Sequence, residues 1–126
     1  MKKKILLVDD EADFLMTVKI RLEASGYEVQ AAGDGEEALQ AMRHTYFDAV
    51  LVDILMPKMN GLDFLKEVRK KDKKLPIFIL TALSDEARFH EARKLGVSGF
   101  LVKTNDLTKE LKNITQVLNI AEKYKG

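Results

Sequence analysis

An alternation of two hydrophobic periods constrains this chain more than any other feature. Short strand-like runs (Ile5–Val8, Tyr27–Ala32, Ala49–Val52, Ile77–Leu80, Phe100–Val102) take turns with stretches whose apolar residues recur at helical spacing. Those stretches carry Phe14/Val18/Leu22, Ala38/Leu39/Met42, Leu62/Leu65/Val68, Ala87/Phe89/Ala92/Leu95 and Leu107/Leu111/Ile114/Leu118/Ala121. A strand turns successive side chains to opposite faces, and a helix gathers positions three and four apart on one face. The two periods therefore predict five strands separated by five helices. Consecutive strands joined through a helix pair in parallel.

The strand runs also report their surroundings. Ile5–Val8, Ala49–Val52 and Ile77–Leu80 are apolar throughout, as strands covered on both faces must be. Tyr27–Ala32 alternates polar and apolar residues and suits a sheet edge. The expected fold is α/β: a flavodoxin-like, doubly wound (βα)5 three-layer sandwich with parallel strand order 2-1-3-4-5. Helix starts are marked by Asp34 with Glu37, a capping-box spacing, by Asn60 before Gly61, and by Ser84 before Asp85. Gly26 and Gly96 stand where helices should stop.

With 126 residues, the chain is expected to form one domain over 1–126, since domains usually hold ~100–150 residues. Lys plus Arg is 21 against 20 Asp plus Glu, a net charge of +1. That balance argues against a broad basic face for nucleic acid and so against direct nucleic-acid binding. The absence of cysteine removes disulfides, thiolate metal sites and thiol catalysis, and two histidines, His44 and His90, are too few for a histidine metal centre. The apolar run after Lys2–Lys4 is too short for a signal core, and nothing approaches a membrane span. The expectation is a cytoplasmic, soluble protein that does not engage membranes. Its natural-looking start and lack of a trailing linker favour a free-standing chain over an excised one.

Chemistry is left to carboxylates, hydroxyls and lysines, and these gather where the strands end. Strand one runs into Asp9, Asp10 and Glu11, strand three into Asp53, strand four into Thr81 and strand five into Lys103. All carboxyl ends of a parallel sheet lie on one edge, and the crevice opens between strands one and three, where the winding reverses. Three carboxylates placed there would raise one another's pKa values. A hard divalent cation relieves that conflict, and Mg²⁺ suits a site with few carboxylates and several waters. Each residue also has a plainer reading. The acids could simply favour a helix N-terminus, Thr81 could cap a helix, and Lys103 could be solvated. The joint arrangement favours a site.

Taken together, Leu7-Val8-Asp9-Asp10-Glu11, Asp53 with Pro57 and Gly61, Thr81-Ala82, and Gly96 through Lys103 resemble the receiver domains of two-component response regulators. The likeness is to the single-domain, chemotaxis-regulator-like members and covers essentially the whole chain. The resemblance implies that Asp53 accepts a phosphoryl group. It implies Mg²⁺, or Mn²⁺ in its place, held by Asp10, Asp53 and the backbone carbonyl of Leu55, with Asp9 acting through water. It also implies that Lys103 pairs with the phosphoryl oxygens, that Thr81 donates a hydrogen bond to one of them, and that Thr81 and Phe100 form the switch. The implied partners are a sensor histidine kinase or phosphotransfer protein upstream and an effector protein or output domain downstream. Such a module catalyses only its own phosphorylation and dephosphorylation and is not an enzyme in the usual sense.

Phe100 stands where the family more often has tyrosine, and it reads equally well as an ordinary core residue. Thr104 follows Lys103 where the family usually has a cis proline. A non-proline cis bond costs ~3 kcal/mol, so a trans Lys103–Thr104 bond with a rearranged loop is expected. The last helix carries a second stripe, Val117, Ile120 and Tyr124. It is either a broad core face or a partner surface, for a homodimer through the last helix or for docking a kinase or output protein. The Lys70/Lys71/Lys73/Lys74 cluster reads as a solvated loop.

Three other functions compete. A dehalogenase-like phosphatase would want a second Asp two residues after the first, and position 55 is Leu. A flavin site would not tolerate Asp9-Asp10-Glu11 against a phosphate. A receiver-like protein-docking adaptor that is never phosphorylated would not need all five site residues. The rate-tuning positions Leu55 and Leu83 are apolar and cannot orient an attacking water, which predicts slow self-dephosphorylation. Leu55→Asn or Leu83→Glu should shorten the half-life of the phosphorylated form, measured by decay of the phosphoprotein after donor removal; an unchanged half-life would count against the reading.

Overall fold

In the computed structural model the described residues are 2–56, 58–81, 86–103 and 106–124, except the side chains of 107 and 121–124. Five strands and five helices alternate: β1 (Lys4–Val8), α1 (Ala12–Ala24), β2 (Glu28–Ala32), α2 (Gly35–His44), β3 (Ala49–Asp53), α3 (Gly61–Arg69), β4 (Ile77–Thr81), α4 (Glu86–Lys94), β5 (Gly99–Val102) and α5 (Leu107–Tyr124). The strands form one parallel sheet in the order β2-β1-β3-β4-β5. The expected class, count and strand order are all present.

The strand alternation sorts the core into two layers. Leu6 and Val8, Val50 and Val52, and Ile77 and Ile79 point to one face, where they meet Ala38 of α2, Phe64, Leu65 and Val68 of α3, and Ala92 of α4. Ile5 and Leu7, Ala49 and Leu51, and Phe78 and Leu80 point to the other, against Val18 and Leu22 of α1 and Ile114 and Leu118 of α5. The three central strands are therefore buried on both sides, which their unbroken apolar sequences require. On β2 the exposed Glu28 and Gln30 alternate with buried Val29, as the edge position demands.

Local signals fix the helix ends. The Asp34 side chain accepts from the Glu37 N–H at 2.9 Å, and Asn60 accepts from the Asp63 N–H at 2.9 Å. The Asp34/Glu37 arrangement is a variant of the expected box: the Glu37 carboxylate reaches back to the N–H of Gly33, one residue before the cap. Gly26 and Gly96 follow α1 and α4 with φ of 99° and 86°. The Ser84 helix start, Pro57, Ala82, Leu83 and the Lys103–Thr104 bond lie outside the described residues.

In the second stripe of α5, Val117 packs with the core while Ile120 is 49% exposed. The Tyr124 side chain lies outside the described residues. Lys70, Lys71, Lys73 and Lys74 are exposed, with Lys70 paired to Glu67 at 3.0 Å, as a solvated loop would be.

One close approach ties the fold to the sheet edge. The Gly61 N–H donates to the carbonyl of Ile54 at 3.1 Å, drawing the start of α3 against the end of β3. A Cβ at Gly61 would lie 2.6 Å from the Asp53 carbonyl oxygen and 2.9 Å from the Ile54 Cα. Both are backbone atoms and cannot swing away. Gly61→Ala should destabilise the protein by about 1–3 kcal/mol, the range for forcing extra atoms into a packed site. Urea unfolding checks this, and a midpoint equal to that of the unaltered protein would show that the loop can yield.

Candidate acidic site at the carboxyl edge of the sheet

Three backbone hydrogen bonds continue the sheet ladders to the site residues. The Asp9 N–H donates to the Ala32 carbonyl at 3.1 Å, the Ile54 N–H to Leu80 at 3.0 Å, and the Lys103 N–H to Thr81 at 2.7 Å. Asp9, Asp53 and Lys103 are therefore held by the sheet itself. Asp9 is fully buried and Asp53 is 7% exposed, whereas Asp10 is exposed. Oxygens of these three carboxylates lie within 4.8 Å of one another. The structure brings together the acids that the sequence placed in the crevice.

Lys103 reaches into this cluster. Its Nζ is ion-paired with Asp9 Oδ2, lies 3.1 Å from Glu11 Oε1 and 3.4 Å from Asp53 Oδ2. The ammonium also sits 4.4 Å from the centre of the Phe14 ring. Thr81 ends β4, 2% exposed, beside the Lys103 backbone. Leu55 lies in the turn after β3, 44% exposed, and its N–H points to Asp53 Oδ1 over 3.4 Å. Phe100 stands apart on the α4 side, partly buried, with its ring centre 4.6 Å from that of Phe89 and the Arg93 guanidinium 5.9 Å above it.

Two contacts were not anticipated as site features. Glu11 belonged to the acidic run, but its pairing with Lys103, 92 residues away, depends on β1 and β5 ending on the same edge of the sheet, with β3 and β4 between them. Phe14 read as one apolar residue of a helix, and no sequence signal separates a ring under an ammonium from a ring in the core.

The electrostatics also differ in cause from the sequence expectation. Burial is the main reason the Asp53 carboxyl is pushed up to about 6, with Asp9 adding to the shift and Lys103 opposing it. Burial likewise raises Asp9, against the pull of Lys103 and the Glu11 N–H. Mutual repulsion is secondary. Burial alone would lower Lys103, but its contacts with Asp9, Asp53 and Glu11 outweigh it and raise its pKa.

The donor set fits a hard divalent cation. It consists of carboxylate oxygens, and the buried Asp9 Oδ2 is met by the Lys103 ammonium, which it shares with Asp53 and Glu11. One ammonium is paired with three acids here, with Asp10 beside them, so added positive charge would be favoured.

A doubly wound parallel sheet carries an acidic cluster and a lysine at the carboxyl edge of its strands. The sequence profile described as "Response regulator receiver domain" matches residues 5–116, and the chain belongs to that family. It is a receiver domain of two-component signalling. A probable transcriptional regulator, ycf27 of Guillardia theta, is 43% identical over 102 residues, covering 81% of this chain and 40% of that protein. The chemotaxis protein CheY of Thermotoga maritima is 39% identical over 104 residues, covering 82% of this chain and 87% of that protein. The chain thus spans less than half the length of the transcriptional regulator and most of the chemotaxis protein. The structure of the Vibrio cholerae chemotaxis response regulator CheY4 superposes with a TM-score of 0.84 at 35% identity, covering 93% of this chain and 99% of that one.

The raised Asp53 pKa has a consequence for stability. Because the folded value of about 6 exceeds the reference 3.8, the folded state holds this proton more tightly. Its contribution is complete below the unfolded value and is lost as pH rises through the folded one. Metal-free protein should therefore lose stability between pH of about 4 and 6, the window between those values. Asp53→Asn should reduce that slope and be more stable than the unaltered protein at pH 7. Urea unfolding over a pH series tests both statements, and a less stable Asn variant at pH 7 would contradict them.

Proposed function

We propose that the chain, as one receiver unit over 1–126, takes a phosphoryl group onto Asp53 and thereby switches a protein-interaction surface. The observation that carries this is the Asp53 carboxylate at the end of β3, with the Lys103 ammonium 3.4 Å away and Asp9 and Asp10 beside it. Asp10, Asp53 and the Leu55 carbonyl would hold Mg²⁺, or Mn²⁺, directly, with Asp9 acting through water. The bound cation supplies charge neutralisation on the transferring phosphoryl oxygens.

The protein's own groups do the rest. Above pH about 6 Asp53 is ionised, and its oxygen attacks phosphorus of a phosphohistidine on a kinase or phosphotransfer protein. The P–N bond breaks, the imidazole leaves with the bonding pair and takes a proton, and Asp53 becomes an acyl phosphate. Lys103 exchanges its carboxylate contacts for a phosphoryl oxygen, and Thr81 donates a hydrogen bond to another. Hydrolysis returns the carboxylate and inorganic phosphate. The chain acts on no other substrate, so it is a signalling module and not a turnover enzyme.

Thr81 at the site and Phe100 on the neighbouring strand transmit the change toward α4, β5 and α5. An effector protein or output domain reads it, and Ile120 on the open side of α5 supports a homodimer through that helix. Among the described residues no helix is long and apolar enough to cross a membrane. The proposed reading is of a cytoplasmic protein acting through protein partners, without direct contact with nucleic acid or membrane.

Incubation with a small acyl phosphate and Mg²⁺, followed by intact mass measurement, tests the assignment. One phosphoryl adduct is expected in the unaltered protein and none in Asp53→Asn. Equal labelling would move the acceptor elsewhere, and no labelling of either would leave the docking adaptor as the reading.

A further inference from the structure

We infer that Phe14 is a positioning residue for the Lys103 ammonium, a conclusion that rests on the phosphoacceptor reading of the site. The Lys103 Nζ lies 4.4 Å from the centre of the Phe14 ring, inside the ~6 Å reach of a cation–π contact. Three carboxylates, of Asp9, Glu11 and Asp53, draw the same ammonium from other directions. A lysine head is a compact charge on a flexible four-carbon stem, and charge attraction alone does not select among three acceptors. The ring face supplies a fixed wall. It lets the ammonium slide from carboxylate to phosphoryl oxygen while remaining beside Asp53.

Phe14 is well placed for this. It lies in the first turn of α1, three residues after Glu11, the N-cap residue of that helix, so ring and carboxylate are carried by the same helix start. Its ring packs against the core layer that holds Leu80, Leu101 and Ile114. The Lys103 side chain is only 10% exposed, and partial removal from water strengthens the attraction to the ring. A cavity of about 10 Å³ lined by Phe14, Lys103, Glu110 and Asn113, among others, leaves space beside the ring.

Two substitutions separate an aromatic role from simple bulk. Phe14→Leu keeps an apolar side chain and removes the π-face, and Phe14→Tyr keeps the face, with the cavity available to its hydroxyl. Two readouts apply: the Lys103 Hε resonances, moved upfield by a ring above them, and the rate of Asp53 labelling by a small acyl phosphate with Mg²⁺. Phe14→Leu should abolish the upfield shift and slow labelling about three- to tenfold, the rate equivalent of a partly desolvated cation–π contact. Phe14→Tyr should retain both. Unshifted Lys103 resonances in the unaltered protein, a Leu variant that keeps shift and rate, or Leu and Tyr variants slowed alike would each overturn the inference. Failure of the unaltered protein to label at Asp53 would instead remove the phosphoacceptor reading, and the resonances would still decide whether Phe14 holds Lys103.

Discussion

A parallel sheet covered by helices on both faces leaves its strand ends as the place where polar side chains can collect. The central strands β1, β3 and β4 are almost wholly buried, so a charged residue within any of them would be removed from water without a partner. Ile5–Val8, Ala49–Val52 and Ile77–Leu80 stay apolar, and the next residue in each case is polar. Because the strands share one direction, the polar residues emerge together. Asp9, Asp53, Thr81 and Lys103 are neighbours for that reason, and the ladder bonds at Asp9, Ile54 and Lys103 hold them there.

The same geometry makes the site reactive. Asp9 and Asp53 emerge only just beyond the core and remain nearly inaccessible, so burial holds both carboxyls above their usual range. Lys103 offsets part of that cost, but its single charge cannot neutralise Asp9, Asp53 and Glu11 together. The site is therefore short of positive charge and ready for a cation. Under the proposed function, the ammonium that these acids share would be the group that turns to an incoming phosphoryl oxygen. Poise of this kind suits a reversible chemical mark better than it suits turnover.

The surroundings of Phe100 are built differently. Phe100 does not touch the acids; it is held between Phe89 and Arg93 of α4. A signal passing from Asp53 through Thr81 to Phe100 would work against that aromatic stack. Under the proposed switch, the state of the domain would depend on packing between β5 and α4 as well as on chemistry at the strand ends.

Much of this was legible in the residues. The unbroken apolar runs specified buried parallel strands, alternation placed β2 at an edge, and Asp34, Asn60, Gly26 and Gly96 marked helix ends through bonds made within a few residues. The membership of the acidic cluster followed from the strand ends. What the sequence could not decide were relations between distant segments: the turn of Glu11 onto Lys103, the ring of Phe14 beneath that ammonium, the stacking of Phe89 on Phe100, and the division of α5 into buried Val117 and exposed Ile120. Nor could it decide that burial, more than mutual repulsion, governs the acids. Local order is set by hydrogen bonds and periodicity that neighbouring residues carry with them. Desolvation and cross-chain contact exist only once the sheet has closed its layers, so tertiary structure alone determines them.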